Sequence, residues 1–231
     1  MLDIKKNVVR IKTFYISLLV LIITNSAFCQ EHDFGIWYGL NTKLSLNKKY
    51  EIDLSAMIRT IDNGSQIDQA FMEGGIACKF SKYFSVAGSY RITNNLEDNS
   101  EYHIRHKFLI DAKGSLPLND FTFSTRLRLQ MQTRTYIEDV GDKASNYTCR
   151  VRFKCLYNIP KFPVNPYVCF ESFSPLFENS ERFIEKKRYT AGFEYKIVKK
   201  HSIEAEYIFE RDFLPRLSDI SIASVSYNLK F

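Results

Sequence analysis

The chain has 231 residues, 45% of them apolar and 25% charged, with a formal net charge of +6. These fractions exclude a disordered polyelectrolyte, and the length allows one sizeable core or two small ones. Aromatic residues are heavy at 15%, with 19 Phe and 14 Tyr, which favours β structure.

The first predicted element is a leader. Lys5, Lys6, Arg10 and Lys12 form a basic stretch, residues 14–24 ("FYISLLVLIIT") are apolar but too short to cross a bilayer comfortably, and "SAFCQ" follows at 26–30. This reads as a secretory signal peptide over residues 1–29, cleaved before Gln30. A lipoprotein leader acylated at Cys29 is disfavoured because Phe28 is bulky where such signals carry a small residue. The leader holds four basic residues against Asp3, so half of the net charge is discarded with it. The basic balance therefore does not imply a nucleic-acid partner.

From there to the end the chain alternates apolar and polar residues. Residues 34–46 place Phe34, Ile36, Tyr38 and Leu40 on one parity, and residues 50–60 set Tyr50, Ile52, Leu54, Ala56 and Ile58 against Glu51, Asp53, Ser55 and Arg59. Further runs fall at about 68–80, 83–93, 101–114, 120–134, 145–158, 164–174, 183–197, 201–213 and 219–231. A period of two is the signature of strands. No stretch shows the 3.6-residue period of a helix, and no composition shift divides residues 30–231 into two domains.

Alternation alone suits a soluble lipocalin-like periplasmic binding barrel as well as a membrane barrel. Three features favour the membrane. The runs hold their pattern over ten or more residues, the length of membrane-spanning strands rather than the roughly 5–6 of soluble ones. Tight links (47–49, 81–82, 116–120, 158–165, 199–200) alternate with longer polar ones (61–66, 94–100, 135–144, 174–182, 214–218), as in outer-membrane barrels. Beside the tight links stand Tyr50, Phe80, Phe84, Phe121, Tyr157, Tyr195 and Phe231, where an interfacial girdle belongs. The expected fold is an all-β, transmembrane, antiparallel up-and-down barrel of 10 to 12 strands, outer-membrane type. Eleven runs are visible, but bacterial barrels have even strand numbers, so ten or twelve is expected, with one run misread. Tyr227, Leu229 and Phe231, at two-residue steps, are expected to be the C-terminal assembly signal read by the outer-membrane assembly machinery. Outer-membrane lipid and lipopolysaccharide are the expected surroundings.

Several stretches together resemble the uncharacterised outer-membrane β-barrel proteins catalogued as domain of unknown function 2490. They are the early Trp37 in "DFGIWYGL", the basic strands "RLRLQ" (126–130) and "RVRF" (150–153), "NPYVCFESF" (165–173), "RYTAGFEY" (188–195) and the terminal "YNLKF". The resemblance implies a barrel fold and an outer-membrane location in a Gram-negative cell, and brings no known activity.

If the apolar parity faces lipid, the polar parity lines the lumen. Arg126, Arg128 and Arg134 then stand beside Arg150, Arg152 and Lys154, with Glu171, Arg188 and Glu194 on nearby runs. Buried charges persist when paired, so a lumen held mainly by ion pairs is expected, with Glu171, Glu194, Glu204 and Glu206 as counter-charges. Basic residues outnumber acidic ones on this parity, which also suits a small anion-preferring pore. The alternative from another class, an outer-membrane hydrolase or acyltransferase, would need a nucleophile, a base and an orienting group. Of the four histidines, His106 falls on the lipid parity, His32 and His201 lie at an end and a link, and His103 has no serine placed beside it. No catalytic residue, metal ligand set or cofactor is expected. Nothing in the sequence sets an oligomeric state.

Overall fold

Residues 32–97, 100–134, 145–176, 183–213 and 217–231 are described by the computed structural model. The expected leader, residues 1–29, lies outside them. The alternating runs fold as strands throughout: β1 (His32–Ser45), β2 (Tyr50–Ile61), β3 (Gln66–Lys79), β4 (Phe84–Leu96), β5 (Tyr102–Leu118), β6 (Phe121–Arg134), β7 (Asn146–Tyr157), β8 (Val164–Leu176), β9 (Lys186–Val198), β10 (His201–Asp212) and β11 (Ser218–Lys230). Consecutive strands pair antiparallel, and β1 meets β11 to close a barrel.

The barrel of 10 to 12 strands is what the chain forms, with eleven among the described residues; the expectation from the even-number rule that one run is misread is corrected, because each of the eleven runs is a strand. In an up-and-down barrel, an odd count points the first and last strands the same way, so they can meet only in parallel. The seam shows this directly. The Phe231 amide donates to the Lys43 carbonyl (2.8 Å), and the Ser45 amide donates to the Phe231 carbonyl (2.9 Å). Asn41 Nδ2 donates to Asn228 Oδ1 at 2.9 Å across a separation of 187 residues, and the same separation relates Gly39 to Ser226 and Gly35 to Ile222. A constant difference marks parallel strands, since an antiparallel pair keeps a constant sum. A parallel pair is slightly weaker per residue than an antiparallel one, but it leaves no unpaired edge, the condition a membrane imposes. The start of β1 and the end of β11 consequently lie at opposite ends of the barrel.

Local chemistry sets the turns. At the short-turn end, Asn47 Oδ1 accepts from the Lys49 and Tyr50 amides (both 2.8 Å), and Ser81 Oγ accepts from the Tyr83 and Phe84 amides (both 3.1 Å). These are side-chain turns of the kind Asn and Ser favour. At the other end Asp62, Asn63 and Gly64 adopt positive φ in succession (52°, 54° and 83°). Asp33 of β1 fixes that turn by accepting from the Asp62 and Asn63 amides (3.1 and 3.0 Å).

The faces are inverted relative to a soluble barrel. Met72, Ile76, Phe108, Ile110, Leu127, Leu129, Phe153 and Val168 are exposed on the outside, whereas Arg91, Lys107, Asp111, Arg128, Glu171 and Glu210 are buried within. Tyr50, Phe80, Phe84, Phe121, Tyr195 and Phe231 are exposed around the short-turn end, with ring contacts between Phe80 and Phe84 (6.0 Å) and between Phe121 and Tyr157 (4.9 Å). The fold is an outer-membrane-type β-barrel, and the lipocalin-like arrangement, apolar inside, is not what the chain adopts. All four described cysteines are free.

Candidate functional site

The lumen is organised by strand register. Across β6 and β7, Arg126 stands opposite Arg152 and Arg128 opposite Arg150, so like charges face each other and repel unless countered. The countering carboxylates come from the flanking strands. Glu171 of β8, 3% exposed, accepts from Arg126 (2.6 Å) and Arg150 (3.1 Å) and lies 3.5 Å from Arg188. Asp111 of β5 takes Arg128 in a two-pronged contact of 2.6 and 2.8 Å, the geometry in which a guanidinium binds a carboxylate best. Glu73 of β3 pairs with Arg91 (2.5 Å) and approaches Arg128 (3.5 Å). Glu210 of β10 takes Arg188 (2.6 Å) and Lys186 (3.1 Å), and Glu204 takes Lys154 (2.9 Å).

Not every expected partner meets. Glu194 accepts from Ser202 Oγ (3.0 Å) and Glu206 from the Tyr167 hydroxyl (2.6 Å), and neither forms an ion pair among the described residues. Their hydroxyl neighbours on β10 and β8 are closer than any arginine. Arg152 and Arg134 also lack ion pairs among the described residues; the register places Glu171 opposite Arg152 but Glu171 is taken by its other neighbours. Arg134 stands opposite another cation, Arg105, whose carboxylate is Glu97 (2.5 Å).

Sequence reasoning passed over the inward aromatics. Trp37 and Phe71 are buried in the lumen, and with Phe173 they alternate with guanidinium groups around its wall. Arg91 lies 3.9 Å from the Phe71 ring centre and Arg59 lies 5.1 Å from it. Arg59 is 3.9 Å over Trp37, and Arg188 is 4.9 Å from Trp37 and 5.1 Å from Phe173. Arg150 completes the series at 4.4 Å from Phe173. Such contacts hold a cation by a ring face without consuming its N–H donors. The signal was available: Trp37 sits on the opposite parity to Phe34, Ile36 and Tyr38.

Among the described residues, two of the cavities lie inside the barrel. The one toward the longer connections has a volume of about 570 Å³ and is lined by Arg59, Arg91, Arg105, Lys107, Arg134, Arg150, Lys186 and Arg188, with Glu185 the acidic residue among its lining. The one deeper in the barrel, about 280 Å³, is lined among others by Trp37, Glu73, Arg126, Arg128, Arg152, Glu171, Glu204 and Glu206. Arg59, Arg91, Arg150 and Arg188 line both. These four arginines, each on an aromatic face, form the boundary that the vestibule toward the longer connections shares with the inner chamber.

Of the expected assembly residues, Tyr227 and Phe231 face outward and are exposed, and Leu229 shares their parity. Phe231 also supplies the backbone bonds that close the seam. On the outside, His106 contacts the Tyr90 hydroxyl (2.5 Å) and His201 the Tyr227 hydroxyl (2.7 Å).

A family model described as "Protein of unknown function (DUF2490)" matches residues 34–216. No curated protein matches the chain. Among solved structures, the β domain of the Bordetella autotransporter BrkA is similar, with a TM-score of 0.54 and 11% identity over 83% of this chain and 87% of that one. The NanC porin is similar with a TM-score of 0.55 and 13% identity, over 86% of this chain and 99% of that one. Identities this low speak to a shared barrel fold and not to a shared activity.

Proposed function

We propose, from the premise that this chain belongs to the DUF2490 family of proteins of unknown function, that it is a narrow, anion-preferring pore of the Gram-negative outer membrane. The observation that carries this is the boundary that the two cavities share: four arginines line it, and the vestibule leading to them carries three cations, Arg59, Lys107 and Arg134, that form no ion pair among the described residues. Rings of fixed charge select the opposite ion in pores. An excess that the protein's own carboxylates do not neutralise is stabilised by anions from water.

The outer-membrane location is supported by the apolar exterior and the girdle at the short-turn end, which suit a lipid and lipopolysaccharide surround. Tyr227, Leu229 and Phe231 supply an outward terminal strand for the assembly machinery to read. The protein should fractionate with the outer membrane and run faster on gels when unheated, and deletion of Phe231 should lower its surface level. Recovery as a soluble periplasmic monomer would contradict the location.

For the pore, purified barrel in a planar bilayer under a salt gradient should show a reversal potential favouring anions. Arg126→Glu combined with Arg150→Glu should weaken or reverse it, and Arg59→Gln, which breaks no ion pair, should weaken it without loss of the folded barrel. An ion-tight barrel, or a selectivity indifferent to all three substitutions, would refute this function.

A further inference from the structure

Most vestibule cations are committed: Arg91 to Glu73, Arg105 to Glu97, Arg150 and Arg188 to Glu171, and Lys186 to Glu210. Three form no ion pair among the described residues: Arg134, which stands opposite Arg105, and Arg59 and Lys107. Lys107 is only 8% exposed and forms no ion pair among the described residues, although a buried ammonium is costly without a counter-charge. Among the described residues Arg59 bonds to uncharged atoms, with Nε on Met57 Sδ (3.3 Å) and Nη1 on Gln69 Oε1 (3.2 Å). Its guanidinium is held instead by ring faces, 3.9 Å over Trp37 and 5.1 Å from Phe71, which fixes its plane and leaves donors at its edge. Arg150, in the same lining, has a buried Nε–H with no acceptor.

We infer that Arg59, Lys107 and Arg150 Nε form a binding step for a single oxyanion group, a carboxylate or a phosphate, on the vestibule floor. The donors come from β2, β5 and β7, so they approach from different directions. Several oxygens can accept from such a set where a halide offers one centre, and a guanidinium fork matches an oxyanion's spacing. Trp37 and Phe71 are positioning residues that keep the Arg59 fork toward the cavity. The vestibule volume of about 570 Å³ lies in the range that accommodates small organic ligands, so the oxyanion can be free or carried on a small molecule. This deepens the pore reading, but binding does not itself require conduction.

Trp37 is the sole tryptophan of the chain, so its fluorescence reports from one place in the lumen, beside Arg59 and Arg188. Folded barrel in detergent micelles is titrated with inorganic phosphate in one arm and succinate in the other, with chloride exchanged to hold ionic strength constant. A saturable change in Trp37 emission is expected in at least one arm, and the arm with the lower half-saturation identifies phosphate or carboxylate as the group recognised. Lys107→Met should raise that half-saturation by about tenfold or more, the scale of losing one charge-assisted contact. Arg59→Lys, which keeps the charge but loses fork and stacking, should do the same and serves if Lys107→Met does not fold. A wild-type signal that never saturates in either arm, or a Lys107→Met or Arg59→Lys barrel that titrates like wild type, overturns the site. Saturation in a barrel that proves ion-tight in bilayers keeps the site and removes the pore, whereas anion selectivity without saturation does the reverse.

Discussion

Across β4 to β9 the inward positions carry Arg91, Lys107, Asp111, Arg126, Arg128, Arg150, Glu171 and Arg188, whereas across β11 and β1 they carry Ile222, Ser224, Ser226, Gly39 and Asn41. One wall is long, charged and cross-linked by ion pairs. The other, Trp37 and Lys43 of β1 apart, is short, uncharged and tightly apposed: a Cβ on Gly39 would lie 2.4 Å from Ser226 Oγ. Diameter grows with strand number, so eleven strands enclose a lumen too narrow for arginines on every side. The parallel seam, built largely from small residues, leaves most of the cross-section to the charged wall opposite. Charge and closure are thus divided between walls, and each can be broken separately.

The largest effect should come from the charged wall. Glu171→Gln leaves Arg126, Arg150 and Arg188 without the carboxylate they share, and removing one partner of a buried pair costs about 3–5 kcal/mol. Urea titration of the folded fraction on unheated gels should show this loss. Glu206→Gln should cost only about 0.5–1.5 kcal/mol, because an amide oxygen still accepts from the Tyr167 hydroxyl. Equal losses would mean that Glu171 is no hub.

Next comes the seam. Gly39→Ala places a methyl group against Ser226 Oγ, and overpacking of this kind costs about 1–3 kcal/mol. Ser226→Gly in the same chain should restore most of the stability, since it removes the atom that the methyl meets. A Gly39→Ala barrel as stable as wild type would show that the seam has room, and the division between the walls would not be steric.

Much of this architecture was legible in residues alone. The strict alternation in β6 and β7 placed Arg126, Arg128, Arg150 and Arg152 on one face, and the barrel has them inside. The range of 10 to 12 strands was legible and the exact number was not, because the even-number rule assumes that every pair is antiparallel. The only sequence sign of a parallel closure is the odd count itself. The partner of each arginine was hidden for another reason. Alternation reports the face but not the register, and a shift of two residues keeps every face while changing every neighbour. Thus Glu194 and Glu206, on the correct face, take Ser202 and Tyr167, while Asp111 and Glu73 hold Arg128. The ring faces that hold these arginines were missed because Trp37, Phe71 and Phe173 are apolar residues on a polar face.

A smaller effect is expected from the charge that the seam side does carry. Lys43 of β1 lies 3.6 Å from Glu51 and 3.7 Å from Asp53, with its side chain 45% exposed. Long, half-exposed pairs contribute about 0–1 kcal/mol, and Glu51 keeps Lys79 at 2.8 Å. Lys43→Ala should therefore shift the urea midpoint marginally. A loss as large as that of Glu171→Gln would mean the walls do not differ in how they use charge.

The smallest effect on stability, and the sharpest test of the seam, is a covalent one. Asn41 and Asn228 touch at 2.9 Å across 187 residues, so Asn41→Cys with Asn228→Cys, in a chain whose native cysteines are replaced, should oxidise to a disulfide in the folded barrel. That bond would tie most of the chain into one loop, and the heated, unreduced protein should migrate faster than the reduced form. Asn41→Cys with Ser224→Cys is the control. Ser224 lies four positions along β11 from Asn228, roughly 13 Å at about 3.3 Å per residue, beyond the reach of a disulfide. Parallel closure in the observed register predicts cross-linking in the first pair alone. If the control pair links, the register has slipped toward the short-turn end by four residues, and if neither links, β1 and β11 do not meet and the barrel is open along that line.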